Sequence, residues 1–170
     1  MRLNRIILDT NIFGQMVLDP RLELIKETLS SRKNFVIYGC DLIRKELRAT
    51  PIADHISRSG IKNLRITLLN CYHDIVRKEL SRDKKSLDLA EQYYKVYSKL
   101  GKPTAKEKIL TDFQIVALAS LNKLDLVVSG DQKTFLSENS IKAYNIVNDI
   151  LTLRTPSFVH YEKFKEMLNI

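Results

Sequence analysis

The segment from residue 5 to residue 9, Arg-Ile-Ile-Leu-Asp, is an apolar run that ends on a carboxylate. An uninterrupted apolar run is typical of a strand that is buried on both faces of a parallel sheet. A carboxylate that closes such a strand is costly to bury, so Asp9 needs a compensating partner. The segment therefore predicts a sheet covered by helices, with a charged group at one edge.

Strands and helices alternate along the rest of the chain. Apolar runs predict further strands at 34–39, 126–129 and 141–147. Apolar residues at helical spacing predict helices at 21–31, 42–49, 61–80, 87–100, 110–122, 132–137 and 161–168. This alternation predicts one α/β domain over residues 1–170, built on a parallel sheet.

Several common kinds of site are excluded by composition. The five glycines are far apart, so the chain has neither a GxGxxG loop nor a Walker A loop. Cys40 and Cys71 have no metal-ligand spacing and are expected to be reduced core residues. The three histidines, which form no HExxH motif, are expected to be structural or surface residues. No apolar stretch approaches the roughly 18 residues of a membrane span, and a cytoplasmic protein without membrane contact is expected.

The formal net charge of +8 has a single source in the sequence. Residues 44–110 contain 16 Lys or Arg and 8 Asp or Glu, whereas the rest of the chain contains 12 of each. A basic segment of this size is typical of proteins that bind a polyanion such as nucleic acid. The alternative is a solvated helical face that keeps the protein in solution.

Four acids are predicted to meet at the carboxyl edge of the sheet, where open α/β sheets place their sites. Asp9 ends the first strand, Asp131 follows the third, Glu46 lies about one turn inside the helix after the second, and Asp112 lies in the first turn of the 110–122 helix. Asp125 begins the third strand and belongs at the opposite edge. Each acid alone could be a helix cap or an exposed ion-pair partner. Together they would repel one another unless a cation compensated them.

Oxygen-only ligands favour a hard divalent cation, Mg²⁺ or Mn²⁺. Beside a basic surface, such an ion points to phosphodiester hydrolysis by a metal-activated water. Asn11 and Ser129 are polar neighbours able to orient water or phosphate. The sequence offers no obvious covalent nucleophile, which fits direct attack by water.

Four segments in this order resemble the PIN-domain family: 7–12 (Ile-Leu-Asp-Thr-Asn-Ile), 44–47 (Arg-Lys-Glu-Leu), 111–117 (Thr-Asp-Phe-Gln-Ile-Val-Ala) and 127–131 (Val-Val-Ser-Gly-Asp). The resemblance implies a Rossmann-like sandwich with a central parallel sheet of four or five strands. It implies a metal-dependent endoribonuclease that acts on single-stranded RNA. The catalytic, metal-binding residues would be Asp9, Glu46, Asp112 and Asp131, supported by Asn11 and Ser129.

The resemblance also implies partners. Many members are VapC-type toxins held by an antitoxin, others process RNA or serve as scaffolds, and dimers are common. Two features depart from the family: Lys133 stands where many members carry another acid, and residues 50–107 form an unusually long basic segment, predicted to be helical. Lys84, Lys85 and Lys102 in that segment are candidate RNA contacts.

Other functions remain open from the sequence. The chain is an RNA-binding or assembly module without catalysis if the acids serve another purpose. A phosphatase is disfavoured, because a second acid is expected two residues after the nucleophilic aspartate and that position is Asn11.

Overall fold

The computed structural model describes residues 3–52, 54–57 and 60–170. The strands of this part of the chain are β1 (Asn4–Leu8), β2 (Phe35–Cys40), β3 (Asp54–Ser57), β4 (Gly60–Asn63), β5 (Val76–Leu80), β6 (Leu126–Val128) and β7 (Ser157–Val159). Its helices are α1 (Thr10–Leu18), α2 (Leu22–Ser31), α3 (Asp41–Ala49), α4 (Leu64–Ile75), α5 (Lys84–Tyr97), α6 (Lys106–Leu121), α7 (Glu138–Ile150) and α8 (Tyr161–Met167). None of these helices is long and apolar enough to cross a membrane.

The central sheet is parallel throughout and has the strand order β5-β2-β1-β6-β7. β1 lies in the middle, where Ile6 pairs with Ile37 of β2 and Ile7 pairs with Val127 of β6. Ile6 and Ile7 are fully buried, which explains the continuous apolar run. The α/β class and the parallel sheet are confirmed, and the sheet has five strands. β3 and β4 form a separate antiparallel hairpin.

Helix α6 is the central buried helix, as its composition predicts. Every residue from Phe113 to Ser120 is buried. Tyr93 and Tyr97 of α5 pack edge-on against the Phe113 ring. The Tyr93 hydroxyl donates to Asn148 Oδ1 of α7 at 2.7 Å, so the polar end of this buried ring is satisfied. Cys40 and Cys71 are buried free thiols, as expected.

The prediction of a strand at 141–147 is wrong, because these residues belong to α7. Ser137 caps this helix by accepting a hydrogen bond from the amide of Ser140. Ala143, Tyr144 and Val147 are buried at helical spacing, whereas Ile146 is exposed. The apolar residues therefore follow the helical period, and their β-branched members suggested a strand.

The prediction of one helix over 61–80 is wrong at both ends, since β4 precedes α4 and β5 follows it. β5 is an edge strand with exposed charged residues, so it lacks the apolar alternation of a half-buried strand. The Arg77 guanidinium donates to the Leu29 and Ser30 carbonyls at the end of α2, which ties this edge to the rest of the fold.

The structure also differs from the sequence predictions in other places. Residues 132–136 form turns instead of a helix. The strand β7 and the helix α1 were not predicted, and α6 begins at Lys106, before the predicted start at residue 110. Asp112 was predicted in the first turn of its helix and therefore lies beyond that turn in the structure.

Candidate active site

Asp9 lies directly after β1 and caps α1. Its Oδ1 accepts a hydrogen bond from the Thr10 amide at 2.7 Å. Its Oδ2 accepts from the Ser129 hydroxyl at 2.7 Å and from the Asn11 side-chain amide. Only 5% of Asp9 is exposed. Strand β1 thus places a well-held carboxylate at the carboxyl edge of the sheet.

Asn11 joins the ends of two neighbouring strands. Its amide oxygen accepts a hydrogen bond from the Gly130 backbone N–H at 2.9 Å. A Cβ atom at Gly130 would collide with the Gln15 side chain and lie 3.1 Å from Asn11 Oδ1, so a side chain there would disturb this bridge. Ser129 Oγ also accepts from the Asp131 amide at 3.1 Å. The segment after β1 and the segment after β6 therefore form one hydrogen-bonded unit.

Asp131 is held by the turn that follows it. Its Oδ1 accepts from the amides of Lys133 and Thr134 at 2.9 and 3.0 Å, and its Oδ2 accepts from the Thr134 hydroxyl. Burial acts to raise the pKa of Asp131, but these hydrogen bonds and one from the Phe135 amide outweigh it and lower the pKa. Tyr144 donates to the Phe135 carbonyl at 2.9 Å and anchors the turn on α7. Asp131 is therefore ionised near neutral pH.

Glu46 approaches from the other side of β1. It lies on α3, the helix that begins directly after β2, and it is exposed. The Thr10 hydroxyl donates to Glu46 Oε2. Asp9 thus contacts the segment that carries Asp131, and Thr10 contacts the helix that carries Glu46.

Asp112 faces the other three acids from α6. Burial raises its pKa to about 8, and the charges of Asp9, Glu46 and Asp131 raise it in the same direction. No residue in the described ranges donates a hydrogen bond to its carboxylate. Asp112 is therefore the acid that the protein itself compensates least.

The pKa of Asp9 shows the same mutual repulsion. Burial, together with the charges of Glu46 and Asp131, raises the pKa of Asp9 to about 6 against the lowering effect of the hydrogen bonds from Ser129 and Thr10. The four predicted acids thus come together at one edge. Asp125 lies at the opposite edge, where the Arg5 amide donates to its carboxylate at 2.9 Å.

Solved structures with the same architecture identify the fold. The chain is similar to a chain of the VapBC2 complex from Rickettsia felis bound to a DNA fragment from its promoter, with a TM-score of 0.55 and 12% identity over 92% of this chain and 98% of that chain. It is similar to a chain of VapBC-1 from nontypeable Haemophilus influenzae, with a TM-score of 0.54 and 17% identity over 93% and 98% of the two chains. It is also similar to a chain of FitAB bound to the IR36 DNA fragment, with a TM-score of 0.52 and 15% identity over 92% of this chain and 94% of that chain.

The chain has a PIN-like fold. This confirms the architecture that the sequence motifs implied. No family model matches the sequence, and no curated protein is significantly similar to it. The likeness to solved structures therefore concerns the architecture, and the chemistry has to be argued from the residues of this PIN-like domain.

The donor set of the PIN-like site suits a hard divalent cation in its chemistry. The four converging side chains offer only carboxylate oxygens, and Asp112 combines partial burial with repulsion from its neighbours. In the described part of the chain, no three His, Cys, Asp or Glu side chains are arranged to hold an ion. Donors from Thr10, Asn11 and Thr134 engage oxygens of the other three carboxylates in this arrangement.

A cleft of about 350 Å³ opens beside the acids of the PIN-like domain, between α3 and α6. Glu46 belongs to both the cleft and the acidic site, and Lys45 and Arg82 contribute positive charge to the cleft lining. These two cations were not predicted as site residues from the sequence. Arg82 is far from Lys45 along the chain, so only their position in the fold connects them.

The lysines proposed as RNA contacts are exposed. Lys85 lines a different groove with Leu121 and Leu151, while Lys84 begins α5 and Lys102 precedes α6. Their role in RNA binding stays a prediction.

The histidine that follows β7 was not considered as part of the site. His160 Nδ1 lies 3.3 Å from the Ser129 carbonyl oxygen, and its Nε2 lies 3.5 Å from the amide nitrogen of Gln132. His160 and His73 are exposed, as expected for surface residues, and the side chain of His55 lies outside the described residues.

Proposed function

We propose that this PIN-like domain is a Mg²⁺- or Mn²⁺-dependent endoribonuclease that hydrolyses phosphodiester bonds in single-stranded RNA. The observation that carries the proposal is Asp112, a carboxylate without a hydrogen-bond donor in the described part of the chain, which faces three other acids. Such an arrangement is unfavourable without a cation. The basic excess of residues 44–110 supports a polyanionic substrate.

Asp9, Glu46, Asp112 and Asp131 would hold the cation. When bound, it would lower the pKa of a water molecule and offset negative charge on the phosphate. The protein's own contribution is orientation. Ser129 and Asn11 hold one oxygen of Asp9, and Thr10 holds one oxygen of Glu46. These contacts fix two of the carboxylates relative to the strand ends.

The test is metal-dependent cleavage of labelled single-stranded and hairpin RNAs. Cleavage in Mn²⁺ or Mg²⁺, its absence in EDTA and its loss in Asp112→Asn are expected. Asp149→Asn is a suitable control, because Asp149 is exposed on α7. Metal-independent products would contradict the proposal. RNA bound without any product would favour the alternative of a non-catalytic RNA-binding or assembly module.

We also propose that a protein partner of the antitoxin type controls the site. The similar chains come from VapBC and FitAB complexes, which pair a toxin with an antitoxin. Expression in a bacterial host should arrest growth, and Asp112→Asn should relieve the arrest. Unimpaired growth with active protein would favour an RNA-processing role. Light scattering would test whether the chain forms the homodimer that the resemblance implies.

A further inference from the structure

The cleft between α3 and α6 shares one residue, Glu46, with the acidic site. Glu46 lines the cleft on α3, and Thr111, the residue before Asp112, lines it on α6. A group that fills the cleft therefore lies next to the Glu46 carboxylate, and on α6 it lies within one residue of Asp112 along the chain. A substrate whose reacting bond reaches Glu46 would place its neighbouring atoms in the cleft.

The size and lining of the cleft suit one nucleoside. Its volume of about 350 Å³ lies at the lower end of the range for small-ligand sites. Leu42, Ala49 and Leu110 provide apolar surface in the lining. A planar base can cover such apolar surface, whereas a fully charged ligand would gain nothing from it.

The lining holds two cations, Lys45 and Arg82, together with the carboxylates of Glu46 and Glu107, so phosphate contacts depend on where the cations lie within the cleft. Lys45 is exposed on α3. The Arg82 guanidinium forms an ion pair with Asp41 at 2.8 Å, while 45% of the Arg82 side chain remains exposed. The ion pair limits the freedom of the guanidinium, so less entropy is lost when it contacts a phosphate.

Gln114 adds a buried polar group to the lining. It is only 5% exposed, and its amide nitrogen lies 3.4 Å from the Ser86 hydroxyl. Within the described residues, its amide oxygen has no hydrogen-bond donor. This oxygen is not among the buried polar atoms that lack a partner in the described residues, so a base edge that donates an N–H group to it takes the place of water.

We infer that this cleft binds the nucleoside next to the phosphodiester bond that is cut, with Gln114 contacting the base edge and Lys45 and Arg82 contacting phosphate. The inference rests on the proposed ribonuclease function and extends it to a residue that selects the base.

Binding is measured apart from cleavage, in EDTA, by fluorescence anisotropy of fluorescein-labelled oligo-A, oligo-C and oligo-U RNA. Ala49→Phe, which fills the cleft, and Lys45→Ala should each raise the Kd about fivefold to tenfold. Asn145→Phe and Lys142→Ala on the exposed face of α7 are the matched controls and should leave the Kd unchanged. Thermal melting checks that each variant is folded, and Lys45→Ala remains informative if Ala49→Phe does not fold.

Gln114→Leu tests base selection. It should change the ratio of the Kd values for the three RNAs by about threefold or more, whereas Gln114→Glu, which keeps a carbonyl-type acceptor, should preserve their order. An unchanged ratio in folded Gln114→Leu would overturn the role of Gln114.

The outcomes separate this inference from the proposed function. Wild-type binding at the cleft without metal-dependent cleavage would contradict the ribonuclease and support the cleft. If the wild type cleaves RNA, and if Ala49→Phe and Lys45→Ala bind RNA with the same Kd as the wild type, the role of the cleft in binding is overturned. The ribonuclease proposal then stands. Absence of RNA binding by the wild type would overturn both.

Discussion

Ser129, at the end of β6, donates its hydroxyl to Asp9, at the end of β1, over a distance of 2.7 Å. Ser129 is fully buried, so this hydrogen bond is shielded from water. It opposes the effect of burial, which raises the pKa of Asp9 to about 6. Ser129 therefore keeps Asp9 in the ionised form that a cation site requires.

Replacing Ser129 by alanine should raise the pKa of Asp9 further. The loss of a hydrogen bond to the charged form shifts a carboxylate upward, here by about one pH unit. Carbon-13 NMR titration of the aspartate carboxyl groups in EDTA would measure the shift. Asp125, at the other edge of the sheet, is the internal control and should titrate as before. An unchanged Asp9 titration would mean that Ser129 has no such role.

Asp112→Asn should stabilise the metal-free protein at alkaline pH. The pKa of Asp112 is about 8 in the folded chain and about 4 in an unfolded one, so the folded state loses stability as the pH rises through this window. Asp112→Asn removes the titrating carboxyl group, so the folded state of the variant does not lose stability in this way. The full difference between the two pKa values corresponds to about 5 kcal/mol at pH 8, and the partial exposure of Asp112 reduces it. The free energy of unfolding of the variant should therefore exceed that of the wild type by about 2–5 kcal/mol at pH 8 and by little near pH 4. Urea denaturation in EDTA measures both, and a pH-independent difference would contradict the repulsion.

Gly39→Ala should destabilise the fold because Tyr72 fills the space above Gly39. An added Cβ atom would lie 2.6 Å from Tyr72 Cζ and 2.9 Å from Val76 Cγ1, and Tyr72 is fixed by its hydrogen bond to Glu79 at 2.8 Å. The expected loss is about 2 kcal/mol. Gly14 on α1 has nothing within 4 Å of the same position, so Gly14→Ala should stabilise by roughly 0.5–1 kcal/mol. A shift of the same sign in both variants would contradict this account.

Lys165→Met should strongly destabilise the protein. Lys165 Nζ lies 2.8 Å from Asp19 Oδ2, and the two side chains are each only 6% exposed. Removing the cation leaves a buried carboxylate held only by the Arg21 amide, the Arg21 guanidinium at 3.4 Å and the Tyr161 hydroxyl, at a cost of about 3 kcal/mol. Lys163→Met breaks an exposed pair with Glu166 and should cost less than about 1 kcal/mol. Equal midpoints of thermal unfolding would contradict the importance of burial.

The same pair predicts a pH dependence. Burial acts to raise the pKa of Asp19, but the hydrogen bonds from Lys165 and the Arg21 amide lower it to about 2. The stability that this carboxylate contributes is present above about pH 4 and is lost as the pH falls towards 2. Acid unfolding of the wild type should show this loss, and Lys165→Met should show much less of it.

The place of the acids could be predicted from the sequence because parallel topology fixes it. A buried strand of a parallel sheet places the residue that follows it at the carboxyl edge, and Asp9 follows β1 in this way. Asp131 lies just beyond the neighbouring strand β6, at the same edge. The wrong predictions fall in elements whose pattern of apolar and polar residues is not the usual one for a strand or a helix. β5 carries exposed charge at the sheet edge, and the apolar residues of α7 include β-branched ones. A local pattern of apolar and polar residues predicts neither an edge strand with exposed charges nor a helix with β-branched residues reliably.

The contacts that complete the site could not be predicted. Asn11 binds the Gly130 amide, and Arg82 shares a cleft with Lys45 and Gln114, although nothing in the local sequence connects these residues. Such contacts depend on how helices cross the sheet. Motifs identify residues whose positions follow from the order and direction of the strands. Contacts between side chains of separate helices depend on how those helices pack, which motifs do not predict.

The central position of β1 has a consequence for the growing chain. β1 pairs with β2 on one side and with β6 on the other, and the Ser129 hydroxyl that holds Asp9 comes from a residue 120 positions further along. A nascent chain that has not yet extended through β6 has only one side of the site. Any chemistry that needs all four carboxylates is therefore withheld during synthesis, and it begins only when the last of these segments docks against the first.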